Sequence, residues 1–259
     1  MCDRRRAAIL APVIALAISS VLFAHPASQS QSTGTQAVTR VQDLSGVWAR
    51  HPGGGSGRNF LADFKAADPP MAPAAEAAYK SIRSSYADPT GYLNDPVFSC
   101  YPPGVPRIYS VDLQGAMEIL QIPGRVLLLY EYDHYVRQIY TDGRQHPQDM
   151  PATWMGDSIG KWEGDTLVVD TTGFNDKTRL DKMGHPHSEA LHVVERIRRV
   201  DRDHLETAIT IDDPKTYTKP WGGQLNFTYE PDWRLEEFAC QDNNTFNDFR
   251  EKSAAEPGK

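Results

Sequence analysis

The chain is poor in several things that would mark common protein classes. Three cysteines in 259 residues are too few for a disulfide-dense scaffold. Positive charge is in deficit, with 27 Lys and Arg against 34 Asp and Glu, a net −7. The first 24 residues hold Arg4, Arg5 and Arg6 against Asp3, a net +2, so the −7 of the whole leaves −9 for the rest. A polyanion would meet a repulsive field there, so neither nucleic acid nor an anionic membrane surface is expected as a partner. After Ala24 no apolar run is long enough to cross a bilayer. Long helices are not expected either, because 19 glycines and 19 prolines interrupt the chain. What is present suffices for a core: 40% of residues are hydrophobic and 10% aromatic. The length suits one large domain or two small ones.

The N-terminus reads as an address. Three arginines precede an apolar run from Ala7 to Ala24, then a polar stretch rich in Gln, Ser and Thr. This is the pattern of a secretory signal peptide over residues 1–24, the alternative being a membrane anchor. Cleavage near Ala24 gives a periplasmic or secreted protein with no membrane contact. Cys2 leaves with the signal, and Cys100 and Cys240 remain. An even pair in an oxidising compartment reads as a disulfide, two buried thiols being the alternative.

Residues 25–40 read as a flexible linker, 41–250 as a single domain and 251–259 as a disordered tail. Pro73 suits a first helical position, and Ala74 to Ile82 has helical composition. Five prolines between Asp88 and Pro106 predict a pinned irregular loop. From Ala116 onward the pattern changes to short strands: Ala116–Ile122, Val126–Tyr132, Tyr135–Tyr140, Ser158–Trp162, Thr166–Thr171, Leu191–Val200, Leu205–Ile211, Gln224–Tyr229 and Trp233–Phe238. Pro123-Gly124, Asp133-His134 and Glu163-Gly164-Asp165 supply turns. The expected class is all-β, an antiparallel lipocalin-like barrel or sandwich with one short N-terminal helix. Leu191–Val200 carries charge on both faces, which suits a barrel with paired charges or a polar ligand inside.

Several blocks carry a resemblance. They are Tyr130 through Arg144 (YEYDHYVRQIYTDGR), Pro151 through Gly156 (PATWMG), Trp162 through Asp170 (WEGDTLVVD), Gly184 through Leu191 (GHPHSEAL), and Ile211 through Trp221, which opens IDDP and ends PW. Over roughly the last 150 residues the chain resembles a family of secreted bacterial proteins to which no activity is attached, so the resemblance implies location and not chemistry. Arg179 departs from the pattern, which has a tryptophan there, and this puts any shared ligand contact at that position in doubt.

Candidate chemistry divides three ways. His187, in a long polar connection between strands, is expected to exchange a proton near neutral pH, with Asp176 or Glu195 as partner. His185, His187 and Glu189 share one face if extended, the alternative being a divalent-metal site. Pro186 argues against a regular strand there. Gly156-Asp157-Ser158-Ile159-Gly160 matches a nucleophile elbow but lacks the helix that must follow, so it reads as a strand entry. For ligand binding, Tyr132, Trp154, Trp162 and Trp221, with Tyr130 and Tyr140, are expected either to line an aromatic pocket or to be core. Glu131 opposes Arg137 only if the turn between them has three residues. Arg144 and His146 steer an acidic ligand or form a solvated turn.

The leading expectation is therefore acid–base chemistry on a small aromatic or apolar molecule, without metal or other cofactor, by His187, Asp176 and Glu195. The alternatives are a periplasmic small-molecule carrier and, more weakly, a metal-dependent enzyme using His185 and His187.

Overall fold

A computed structural model describes residues 43–50, 69–86, 95–111, 116–181 and 183–243. The expected signal segment, linker and tail lie outside the described residues. Nine strands form a closed barrel in chain order. They are β1 (Gly46–Ala49), β2 (Met117–Ile122), β3 (Arg125–Tyr130), β4 (Val136–Tyr140) and β5 (Asp157–Glu163), then β6 (Thr166–Thr172), β7 (His192–Arg199), β8 (His204–Asp212) and β9 (Trp221–Tyr229). Helix α1 (Pro73–Tyr86) starts at Pro73, and a single turn, α2 (Cys240–Asn243), ends the described chain. Among the described residues no helix is long and apolar enough to cross a membrane.

Nine strands cannot alternate in direction all the way around a closed ring, so at least one seam must be parallel. That seam is β4–β5, where Ile139 faces Ser158 and Tyr140 faces Ile159. The other eight seams are antiparallel. A parallel pair needs a crossover, and residues 141–156 provide it by climbing the outer wall to the end where β5 begins. His146 fastens this climb, with Nδ1 2.6 Å from Asp157 and Nε2 3.0 Å from Asp170.

Strand directions gather the long excursions at one end. The β6–β7 and β8–β9 connections and the segment between β1 and β2 all leave from the end where β5 starts. Residues 95–111 plug that end. Arg107 donates from Nη1 and Nη2 to the two oxygens of Asp95, at 2.8 and 2.6 Å, and both residues are buried. The interior is filled by alternate strand residues, among them Trp48, Ile119, Leu128, Ile139, Leu167, Val169, Ile209 and Phe227.

Tight turns fall where the residue types allow them. Gly164 takes φ +64 in the two-residue β5–β6 turn that sets Glu163 opposite Thr166. Gly156, at φ +70, opens β5 in a space closed by the Thr172 carbonyl. A methyl group there would sit 2.7 Å from that oxygen and 2.9 Å from the Phe174 ring. Gly156→Ala is therefore expected to cost about 2–4 kcal/mol from backbone strain and overlap, measurable by urea denaturation.

Two expectations are corrected. Trp233–Phe238 is not a strand, because β9 already pairs with β1 and leaves no free edge. The segment instead climbs the outside as a strap, with one bridge between Tyr132 and Phe238. The β3–β4 loop has five residues, 131–135, not two or three, with Asp133 and His134 at φ 51 and 53. Arg137 consequently faces Leu128 and points inward, while Glu131 lies outside and accepts from the Glu236 amide at 3.1 Å. No Glu131–Arg137 pair forms.

Candidate functional site

The sequence placed Arg137 and Glu195 in different roles, but the fold joins them. Val193, Glu195 and Ile197 are the buried residues of β7, so Glu195 enters the barrel from one wall as Arg137 enters from β4. Both Arg137 Nη atoms donate to Glu195, Nη1 to Oε1 at 3.0 Å and Nη2 to Oε2. The remaining donors are also used. Nε reaches Ser158 Oγ at 3.1 Å, Nη1 reaches Tyr109 Oη at 3.2 Å, and Nη2 reaches Thr171 Oγ1 at 2.9 Å. Tyr109, from the plug, donates to Glu195 Oε1 at 2.7 Å.

A guanidinium has five donors, and all five are engaged, so Arg137 has none left for a ligand. Burial pushes its pKa down, but the Glu195 carboxylate more than offsets this and holds it above the ordinary value. Burial also raises the Tyr109 and Tyr130 phenols, which stay protonated. The cluster is a closed polar rivet in the core. Glu195 belongs to it and is not a partner of His187. Ser158 belongs to it as well, on a strand and inside the barrel, so no nucleophile elbow forms.

The polar centre open to chemistry lies at the end carrying the long loops. Thr178 and His187, both on the β6–β7 connection, are 2.5 Å apart between Oγ1 and Nε2. His187 Nδ1 lies 3.1 Å from the Ser188 carbonyl, which can only accept, so Nδ1 carries the proton. Burial pushes the imidazole below its usual value of 6.5, which leaves Nε2 with a free lone pair at neutral pH. Thr178 therefore donates to Nε2. A hydroxyl, a neutral base and a group orienting that base stand in sequence.

The loop is pinned from two sides. Asp213, after β8, accepts from Ser188 N at 2.6 Å and Ser188 Oγ at 2.7 Å. Burial pushes the Asp213 carboxyl up, but these hydrogen bonds and those from Thr216 and Lys215 outweigh it and hold the pKa below the ordinary value. Tyr217 donates to the Pro186 carbonyl at 2.7 Å. Two of the quoted blocks, GHPHSEAL and the IDDP segment, thus meet in space. His185 has separate partners: Nδ1 lies 2.9 Å from Asp181 and the ring stacks on Tyr79 of α1, centroids 4.2 Å apart.

The expected His185–His187–Glu189 metal set does not assemble. The two imidazoles face different groups and Glu189 is exposed. Among the described residues no three His, Cys, Asp or Glu side chains are placed to hold a metal. Asp176 is exposed, and its charge influences the His187 imidazole less than burial, the Ser188 carbonyl, Asp213 or Arg179 does.

The expected aromatic pocket is dispersed. Trp221 is buried edge-on to Tyr217, 5.1 Å between centroids. Trp162 packs on the core from β5, and Tyr132 is buried beside Cys240. Arg144 lies over Tyr140 and pairs with Asp142 in an exposed turn. Trp154 alone stays beside the candidate centre. It stacks on the half-exposed Tyr101 at 5.2 Å, with Lys177 6.0 Å from its ring. Contact with the dyad runs through Gly104, at φ +78, where a Cβ would stand 3.2 Å from the Trp154 carbonyl and 3.0 Å from Thr178 Oγ1.

Thr178, Asp181, Asp213 and Tyr109 are functional neighbours that residue type and spacing alone do not single out. An Asp before Pro at the end of a strand, as in Asp213-Pro214, signals a capping turn and was available. Nothing local distinguishes Thr178 or Tyr109.

No family model matches the chain, and no curated protein sequence matches it.

A stability test of the His187 assignment follows from linkage. A histidine held below 6.5 when folded and free to take a proton when unfolded costs nothing above pH 6.5. Stability then falls as pH drops from 6.5 through the folded value. His187→Gln is expected to flatten that part of the Tm-against-pH curve.

Proposed function

We propose that the protein is a secreted barrel that acts on a small aromatic or apolar molecule by metal-free acid–base chemistry at its loop-carrying end. His187 is the proton acceptor and Thr178 the hydroxyl it polarises. One observation carries this reading: the Thr178 hydroxyl donates to a neutral imidazole whose tautomer a backbone carbonyl fixes. The Tyr101–Trp154 stack beside it offers a flat apolar face, and Lys177 offers a cation for an acidic substituent. The Cys100–Cys240 disulfide is consistent with an oxidising compartment. Glu195, engaged with Arg137, and exposed Asp176 have no part in this chemistry.

A second reading, carriage without reaction, is favoured by the depth of His187, which is 7% exposed. Native mass spectra of wild type and His187→Gln, each recovered from the secreting cells, separate the two. Catalysis predicts that His187→Gln retains an organic molecule that wild type releases or returns altered, with turnover at least about 100-fold lower in the variant. The same retained mass in both proteins would show carriage. Trp154→Ala is expected to lose the retained mass in either case.

A further inference from the structure

A separate cavity of about 420 Å³ lies on the outer wall under the strap, within the roughly 300–1,000 Å³ common for small-molecule sites. Val47, Leu129, Val136 and Leu235 supply apolar walls, and Trp233 supplies a ring. Val136 is 57% exposed and Trp233 38%, so two large apolar side chains face solvent across this cavity. The strap is fastened along its length. Glu230 N donates to the Val47 carbonyl at 2.9 Å, Glu236 N to Glu131 at 3.1 Å, and Asp133 N to the Phe238 carbonyl at 3.0 Å. The disulfide then ties its end at Cys240 to Cys100. A wall held this way is formed before any ligand arrives, which lowers the ordering cost of binding.

We propose that this cavity is a second binding site, for an uncharged planar molecule of one or two fused rings. The charges in its lining decide the class. Its lining holds one cation, Arg234, and one anion, Glu118, with His134 as a third polar group, so the fixed charges offset and neither an anion nor a cation is favoured. A hydroxyl on the ring is suited to donate to Glu118 or accept from Arg234, while the ring packs against Trp233.

The probe is 2-naphthol, followed by backbone amide shifts of the full mature protein. Saturable one-to-one binding is expected, with shifts confined to Val47, Leu129, Val136 and Leu235. Trp233→Ala and Val136→Glu each change an exposed residue, and each is expected to weaken binding about tenfold or more with Tm unchanged. 2-Naphthoate and 2-naphthylmethylammonium are both expected to bind more weakly than 2-naphthol. The proposal is overturned by absence of saturable binding, by affinity indifferent to both substitutions, or by tighter binding of either charged probe. Shifts at Trp154 and Thr178 instead would also overturn it and would assign the ligand to the His187 end.

Discussion

Glu195→Ala is expected to destabilise the protein by about 3–5 kcal/mol, because it strands a buried guanidinium. At roughly 2–4 °C per kcal/mol for a domain of this size, Tm should fall by about 6–20 °C. Arg137 is 4% exposed, and without Glu195 only the neutral oxygens of Tyr109, Ser158 and Thr171 would face it. Arg137→Met alone should cost a similar amount, leaving the carboxylate with one donor, Tyr109. Removing both, as Arg137→Met with Glu195→Leu, should recover most of the loss, since a buried pair contributes little net stability over apolar residues of like volume. Urea denaturation of wild type, Arg137→Met, Glu195→Leu and the double variant gives the coupling energy directly. Additive effects would show that the two charges do not depend on each other.

Loss of the Cys100–Cys240 bridge ranks next. The cysteines lie 140 residues apart in sequence with Cα atoms 5.7 Å apart. Closing so long a loop restricts the unfolded chain, and its removal is expected to cost about 2–5 kcal/mol, the upper part of the range following from loop length. The bridge joins the plug, through Cys100, to the end of the strap, through Cys240. Cys100→Ser with Cys240→Ser should therefore raise hydrogen exchange first in residues 230–240 and at the Asp133 amide, before the barrel strands respond. Uniform acceleration across β5–β9 would place the bridge's effect elsewhere.

How much was legible in the sequence varies with the range of the interaction. Strand periodicity and turn residues are local. Hence β5–β6 with its Gly164 turn, β7–β8, and the single longer helix beginning at Pro73 were readable. The β3–β4 register was not, because its five-residue loop depends on how Asp133 meets the strap at Phe238 and Cys240, more than 100 residues away. Closure was another nonlocal fact: with β9 paired to β1, the apolar alternation of Trp233–Phe238 had no ladder to join. The charge on the inner face of β7 was visible as an anomaly at Glu195. Its partner was not, since Arg137 reaches it only after the barrel closes. In the candidate site, His187 was identifiable by residue type and by its place in a long polar loop. Thr178 was not, because a threonine nine residues upstream becomes a hydrogen-bond donor only when the loop folds back on itself.

The most direct measurement is the tautomer and charge of His187, read from long-range ¹⁵N–¹H correlations of histidine-labelled protein at pH 7. A neutral ring protonated on Nδ1 is expected, with an Nε2 signal that moves when Thr178→Val removes its donor. A ring protonated on Nε2, or a doubly protonated ring insensitive to Thr178→Val, would contradict this and remove the base on which the proposed chemistry rests.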